Sequence, residues 1–158
     1  MVKNCLIFNE SKTEFMYLQS KHNHQKFCKQ PLTLDHSTIH PSVKVRNLGV
    51  SFDQCLDMKA QVGSVVSGCH LQLRKLGRVR KNLTTLASES AVRSAVTSRL
   101  DYCNSLLYAA GSKQHARLQS VQNNAARIIS GTRKYDSISP VLRSLHWLTI
   151  GKRIQFKI

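Results

Sequence analysis

Hydrophobic positions change their spacing near residue 55, and the change divides the chain. Before it, apolar and β-branched residues come in short runs at 13–18, 32–34, 37–39 and 43–52, each bounded by turn formers, which is the pattern of short strands. Asp35-His36 between two of these runs predicts a hairpin. Pro31 and Pro41 lack an N–H for the ladder and confine their strands to edges or starts. Residues 19–30 are polar and rich in Lys and His, which predicts an exposed loop or loose helix. After residue 55, Met58, Val62, Val65, Val66, Cys69, Leu73, Leu76 and Leu83 recur in steps of three and four, one stripe of a long amphipathic helix. At about 100° per residue, Arg74, Arg78 and Lys81 fall in one sector opposite that stripe.

Leu83-Thr84-Thr85 breaks the stripe and offers a threonine N-cap. A second helix is predicted through Ala91, Val92, Ala95, Val96 and Leu100 towards Leu107. A third begins after Ser112 as N-cap, buries Leu118, Val121, Ala125 and Ile128/Ile129, and stops at Gly131. Ser139-Pro140 predicts N-cap and first residue of a short helix ending near His146, and Thr149 caps another. That last helix carries no stop signal before Ile158, so the pattern predicts a truncated chain. The expectation is an α+β chain: a small antiparallel β element over residues 1–55, then a bundle of four or five helices over 56–158.

Charge sharpens this division. The chain holds 24 Lys and Arg against 8 Asp and Glu, a net charge of +16. Residues 1–71 carry 8 basic and 5 acidic side chains, and residues 72–158 carry 16 and 3, so the excess lies in the helical part. Such a surface repels itself unless it meets a polyanion, and nucleic acid is the commonest one. A membrane surface fits less well, because the basic stretches lack the opposing Trp/Phe/Leu-rich face of an interfacial helix. No apolar run approaches the ~20 residues of a membrane span. The start of the chain turns polar too quickly for a signal peptide. Five widely spaced cysteines without a CxxC pair point to free thiols in a reducing compartment. The predicted location is therefore intracellular, nuclear or cytoplasmic. Nothing in the sequence indicates an oligomeric state.

Five stretches are more specific. Asn9-Glu10-Ser11-Lys12-Thr13-Glu14-Phe15 resembles the segment after the catalytic strand pair in LINE (non-LTR retrotransposon) reverse transcriptases of the CR1/L2/Jockey kind. Val45-Arg46-Asn47-Leu48-Gly49-Val50-Ser51-Phe52-Asp53 resembles their primer-grip hairpin. Thr97-Ser98-Arg99-Leu100-Asp101-Tyr102-Cys103-Asn104, the run from Leu118 through Gln119, Gln122 and Asn123 to Arg127, and Leu145-His146-Trp147-Leu148 follow in the family's order. The family has proline after His-Trp-Leu, where this chain has Thr149.

The resemblance implies the end of a polymerase palm over 1–55 and a helical thumb and post-thumb region over 56–158. It implies that Lys12 is the motif D lysine near the incoming nucleotide's phosphates, where an ammonium can neutralise or protonate a leaving pyrophosphate. Leu48, Gly49 and Val50 would form the primer-grip turn. Arg74, Lys75, Arg78, Arg80 and Lys81 would contact phosphates of an RNA template and DNA primer, with Arg93, Arg99, Arg127, Arg133 and Lys134 as second-rank candidates, at least one of them serving a helix C-terminus instead. The polymerase's metal-binding aspartates belong to a motif upstream of this region, and the chain has no Asp-Asp pair. Mg²⁺ is thus expected only in the complete polymerase, with no cofactor in this chain, which should be catalytically inert. The rival readings are a stand-alone nucleic-acid-binding remnant and an unstable, non-functional gene fragment.

Other signals are weaker. His22-Asn23-His24 with Cys28, His36 and His40 matches no common zinc spacing and reads as surface loop histidines. No G-x-S-x-G elbow supports a hydrolase. Trp147 reads as a packing anchor.

Overall fold

The computed structural model describes residues 9, 12–20, 30–34 and 37–158, and confirms a mixed α+β chain. The chain separates into two compact units, Met1–Leu56 and Asp57–Ile158.

In the first unit the described residues form two antiparallel hairpins. Strands β1 (Leu32–Leu34) and β2 (Ser37–Ile39) pair Leu32 with Ile39 and Thr33 with Thr38. The Asp35-His36 connection lies outside the described residues. Strands β3 (Lys44–Asn47) and β4 (Val50–Asp53) pair Lys44 with Asp53 and Asn47 with Val50. The run at 43–52 is thus two strands around Leu48-Gly49. Both turn residues have positive φ, 47° and 81°, as the primed two-residue turns of twisted hairpins require. Glycine reaches that region without cost, but Leu48 does not, so hairpin closure holds a leucine in a left-handed conformation.

The run at 13–18 does not become a strand. Among the described residues its only ladder contact is a parallel bridge between Phe15 and Pro41, with Ser42 N donating to Phe15 O at 2.7 Å. Side chains anchor the rest. Glu14 Oε2 accepts from Arg46 N at 2.9 Å, Tyr17 Oη donates to Gln30 O at 3.0 Å, and Gln19 Nε2 donates to Gln54 Oε1 at 3.0 Å. Of the loop read at 19–30, residues 21–29 lie outside the described residues.

The second unit is a helical bundle with its own core. Helix α1 (Lys59–Val79) carries the long stripe, burying Val62, Cys69 and Leu73 below the buried Met58. A 3₁₀ turn (Arg80–Asn82) leads to a continuous rod: α2 (Thr85–Val92), a π-turn (Arg93–Thr97) and α3 (Ser98–Asp101). Thr84 is its N-cap, its side chain accepting from Ala87 N at 3.2 Å. A 3₁₀ turn at Asn104–Leu107 precedes α4 (Ser112–Ser130), which buries Leu118, Val121, Ala125, Ala126 and Ile129. Helices α5 (Ser139–Ser144) and α6 (Ile150–Phe156) complete the unit and contribute Leu142, Ile150 and Ile154 to the core.

The direction of the main helices follows from a few contacts. Gly63 of α1 faces Arg117 of α4, and Arg80 just beyond α1 reaches Ile128 and Ile129 near the end of α4. The two helices therefore run parallel. The α2–α3 rod runs back along α1 in the opposite sense: Val96 O lies 3.9 Å from the Cys69 thiol, and the later Arg99 meets the earlier Gly68.

Two caps differ from the sequence reading by one position. Gly111, at ψ 155°, is the N-cap of α4, and Ser112 is its first residue. Ile138 caps α5, so Ser139 and Pro140 occupy its first turn. Gly131 ends α4 as expected, in the left-handed region at φ 72°. Helix α5 ends in a Schellman turn: Trp147 N donates to Leu142 O at 2.8 Å and His146 N to Arg143 O at 3.0 Å. Its left-handed position, usually glycine, is His146 at φ 55°.

Candidate nucleic-acid interface

Because α1 and α4 are parallel, their C-terminal ends meet at one end of the bundle. Six of the predicted phosphate ligands lie towards that end. Arg74, Lys75 and Arg78 on α1, Lys81 in the following turn, and Arg133 and Lys134 after α4 are all exposed. On α1 the exposed cations lie opposite the buried direction set by Val62, Cys69 and Leu73. No acidic residue occurs between Lys59 and Glu89. At the α4 end there is one, Asp136, whose Oδ2 accepts from Arg133 N at 3.1 Å. Lys134 Nζ sits 5.7 Å from the centroid of the exposed Tyr135 ring, a cation–π distance.

Two of the predicted phosphate ligands are committed elsewhere. Arg80 spends its guanidinium on backbone: Nε donates to Ile128 O at 2.7 Å, Nη2 to Ile129 O at 2.8 Å and Nη1 to Leu83 O at 2.9 Å. The last carbonyls of α4 have no intrahelical partner, and the cation also offsets the negative end of the helix. Arg127 braces the loop beyond, donating to Arg133 O and Asp136 O, each at 3.3 Å. Arg80, a first-rank phosphate candidate, is thus the arginine that serves a helix C-terminus, whereas Arg127, from the second-rank set of which at least one was expected to do so, bonds loop carbonyls after α4. Arg93 pairs with Glu89 at 2.6 Å, and Arg99 lies against α1 at Gly68.

Comparison with known protein families, curated proteins and solved structures finds no match for this chain.

The family-like stretches of the helical unit meet in one polar junction. Asp101 accepts both Nε, at 2.9 Å, and Nη2 of Arg153, while Lys157 Nζ donates to Asp101 O at 2.8 Å. Asn104 Nδ2 reaches Asp101 Oδ1 at 3.3 Å. Gln119 Oε1 accepts from Ile150 N at 2.9 Å and so caps α6, a bond the Thr149 hydroxyl does not make. Gln119 Nε2 donates to Gln122 Oε1 and Asn123 Oδ1, and the buried Gln122 donates to Leu148 O at 2.8 Å. These amides fix the start of α6 to the middle of α4. No spacing in the sequence announces the long-range partners, which lie 26 to 56 residues apart.

In the first unit, Lys12 is exposed, its backbone N donating to Asn9 at 3.2 Å. Leu48 projects from the β3–β4 turn with 84% of its surface exposed, whereas Val50 is buried. Among the described residues no three His, Cys, Asp or Glu side chains gather to hold a metal. His22, His24, Cys28 and His36 lie outside them. Among the described residues no helix is long and apolar enough to cross a membrane.

Burial pushes the Cys69 thiol above its usual range, partly offset by the Arg99 charge. Tyr102 is also raised, by a thiolate at the neighbouring exposed Cys103.

Proposed function

We propose that this chain is palm-end and thumb-like sequence of a LINE-type reverse transcriptase, and that its helical unit grips the phosphate backbone of a template–primer duplex. The observation that carries the reading is the presence, at the shared C-terminal end of α1 and α4, of exposed cations that form no ion pair among the described residues. Backbone phosphates are the ligand such a surface suits, because it presents charge without a set of base-reading side chains. The order of the five sequence motifs supports the polymerase ancestry.

Gripping and chemistry separate in this proposal. Duplex binding needs only the helical unit, which has its own core. Nucleotide addition needs a pair of metal-binding carboxylates that the sequence does not supply as an Asp-Asp turn. The full chain therefore binds RNA–DNA duplex but extends no primer in Mg²⁺ or Mn²⁺. With Arg74, Lys75, Arg78, Lys81, Arg133 and Lys134 engaged, log affinity falls with log salt at a slope of about −5. Fluorescence anisotropy with a labelled hybrid measures this. A salt-independent affinity, or primer extension by the purified chain, refutes the proposal.

A further inference from the structure

A second candidate site lies away from the cation-rich end, within the helical unit. A groove of about 400 Å³ opens between the α2–α3 rod and the α5–α6 junction, lined by Glu89, Arg93, His146, Trp147 and Arg153 among others. We propose that it holds one unpaired nucleotide of a single-stranded nucleic acid, the phosphate on Arg93 and Arg153 and the base against Trp147 and His146. The inference rests on the nucleic-acid reading above and adds a separate site to it.

Facing walls of the groove both depart from regular helix. One is the π-turn Arg93–Thr97, closed by Ser98 N donating to Arg93 O. The other is the Schellman turn that holds His146 left-handed. π-Turns and left-handed non-glycine residues each cost stability and concentrate at binding sites, and here they coincide. The volume lies in the range of small-ligand pockets, ~300–1,000 Å³.

The side chains fit a nucleotide. Arg153 uses Nε and Nη2 on Asp101, and Arg93 uses Nη2 on Glu89, so each five-donor guanidinium keeps N–H groups for a phosphate. Asp101 holds the Arg153 fork in place, and most of the Arg93 side chain, 65%, faces solvent. Trp147 and His146 supply ring surface of the kind on which unpaired bases stack. Glu89 is the acidic member of the lining. It repels phosphate mildly and can accept from a base's exocyclic amino group.

Trp147 is the chain's single tryptophan, so its fluorescence reports on this groove alone. The full chain is titrated with a short oligoadenylate and, separately, with adenosine 5′-monophosphate. Expected are saturable quenching, affinity weakened about ten-fold in Arg93→Ala through loss of a charge-assisted contact, and tighter binding in Glu89→Gln, a gain that misfolding cannot mimic. Quenching that is absent, or unchanged by both substitutions, overturns the proposal. The double variant Arg74→Gln/Arg78→Gln separates the two sites: it weakens duplex binding and leaves the quenching intact. Quenching absent beside normal duplex binding condemns the groove alone. Quenching that persists where duplex affinity is salt-independent supports the groove and condemns the grip.

Discussion

Arg80 and Arg78 are two residues apart and chemically identical, yet the structure gives them opposite duties. Truncating Arg80 to alanine removes three hydrogen bonds from a charged donor, two to the final turn of α4 and one to Leu83 O. Bonds to charged groups contribute ~1.5–3 kcal/mol each, but they share one side chain and water can reach part of the site. A combined loss of about 2–4 kcal/mol is the reasonable expectation. Arg78 is exposed, so its truncation should change stability by no more than about 0.5 kcal/mol. Urea unfolding followed by circular dichroism measures both. The same variants are then tested for duplex binding under conditions where each is folded. Arg78→Ala should flatten the salt slope by about 0.9, and Arg80→Ala should leave it near the parent value. An Arg80→Ala protein as stable as the parent, with binding weakened as much as in Arg78→Ala, refutes the capping account.

Gln122→Ala should destabilise by about 2–3 kcal/mol in the same assay, because it opens a cavity and strips partners from Gln119 and Leu148 O. His146→Gly should stabilise by about 0.5–1 kcal/mol and His146→Val should destabilise, since the left-handed position penalises a Cβ. Among the described cysteines, thiol labelling read by mass spectrometry should modify Cys103 early and Cys69 only on unfolding. The raised Cys69 pKa has a definite sign: its contribution to stability is complete below the ordinary value of 9.0 and is lost as pH rises through the folded value. Stability should therefore decline in alkali, less steeply in Cys69→Ala.

Long elements were legible in the sequence, and their reasons are physical. Helices α1 and α4 repeat apolar residues over five turns, so one buried face is overdetermined, and Gly131 marks a stop only a left-handed residue makes well. The hairpin at 32–39 was legible from two short runs and the residues between them, whereas the run at 43–52 read as one strand and only the family resemblance implied a hairpin there. Caps slipped by one where two cap-forming residues stand side by side, as at Gly111-Ser112. Residues 13–18 have strand composition but, among the described residues, pair only through the single Phe15–Pro41 bridge, and composition alone cannot supply a longer ladder. The π-turn at Arg93–Thr97 had no signature in the hydrophobic spacing, which runs on through Val92 and Val96 as in a regular helix.

The candidate interface was legible as charge and not as geometry. An amphipathic stripe fixes which side of α1 carries Arg74 and Arg78, so their exposure follows from the sequence. That Arg80 turns instead to α4 depends on a contact 48 residues away. The motifs from Asp101, Gln119 and Trp147 read in sequence as family marks. Within this fold each makes a specific bond or turn that holds α6 and the α5 end in place.

The most direct test of the grip is the salt dependence of RNA–DNA duplex binding by the full chain, compared with Arg74→Gln/Arg78→Gln across ~50–200 mM salt. The account predicts a slope near −5 for the parent and about two units shallower for the variant. A flat parent slope, or two identical slopes, contradicts it.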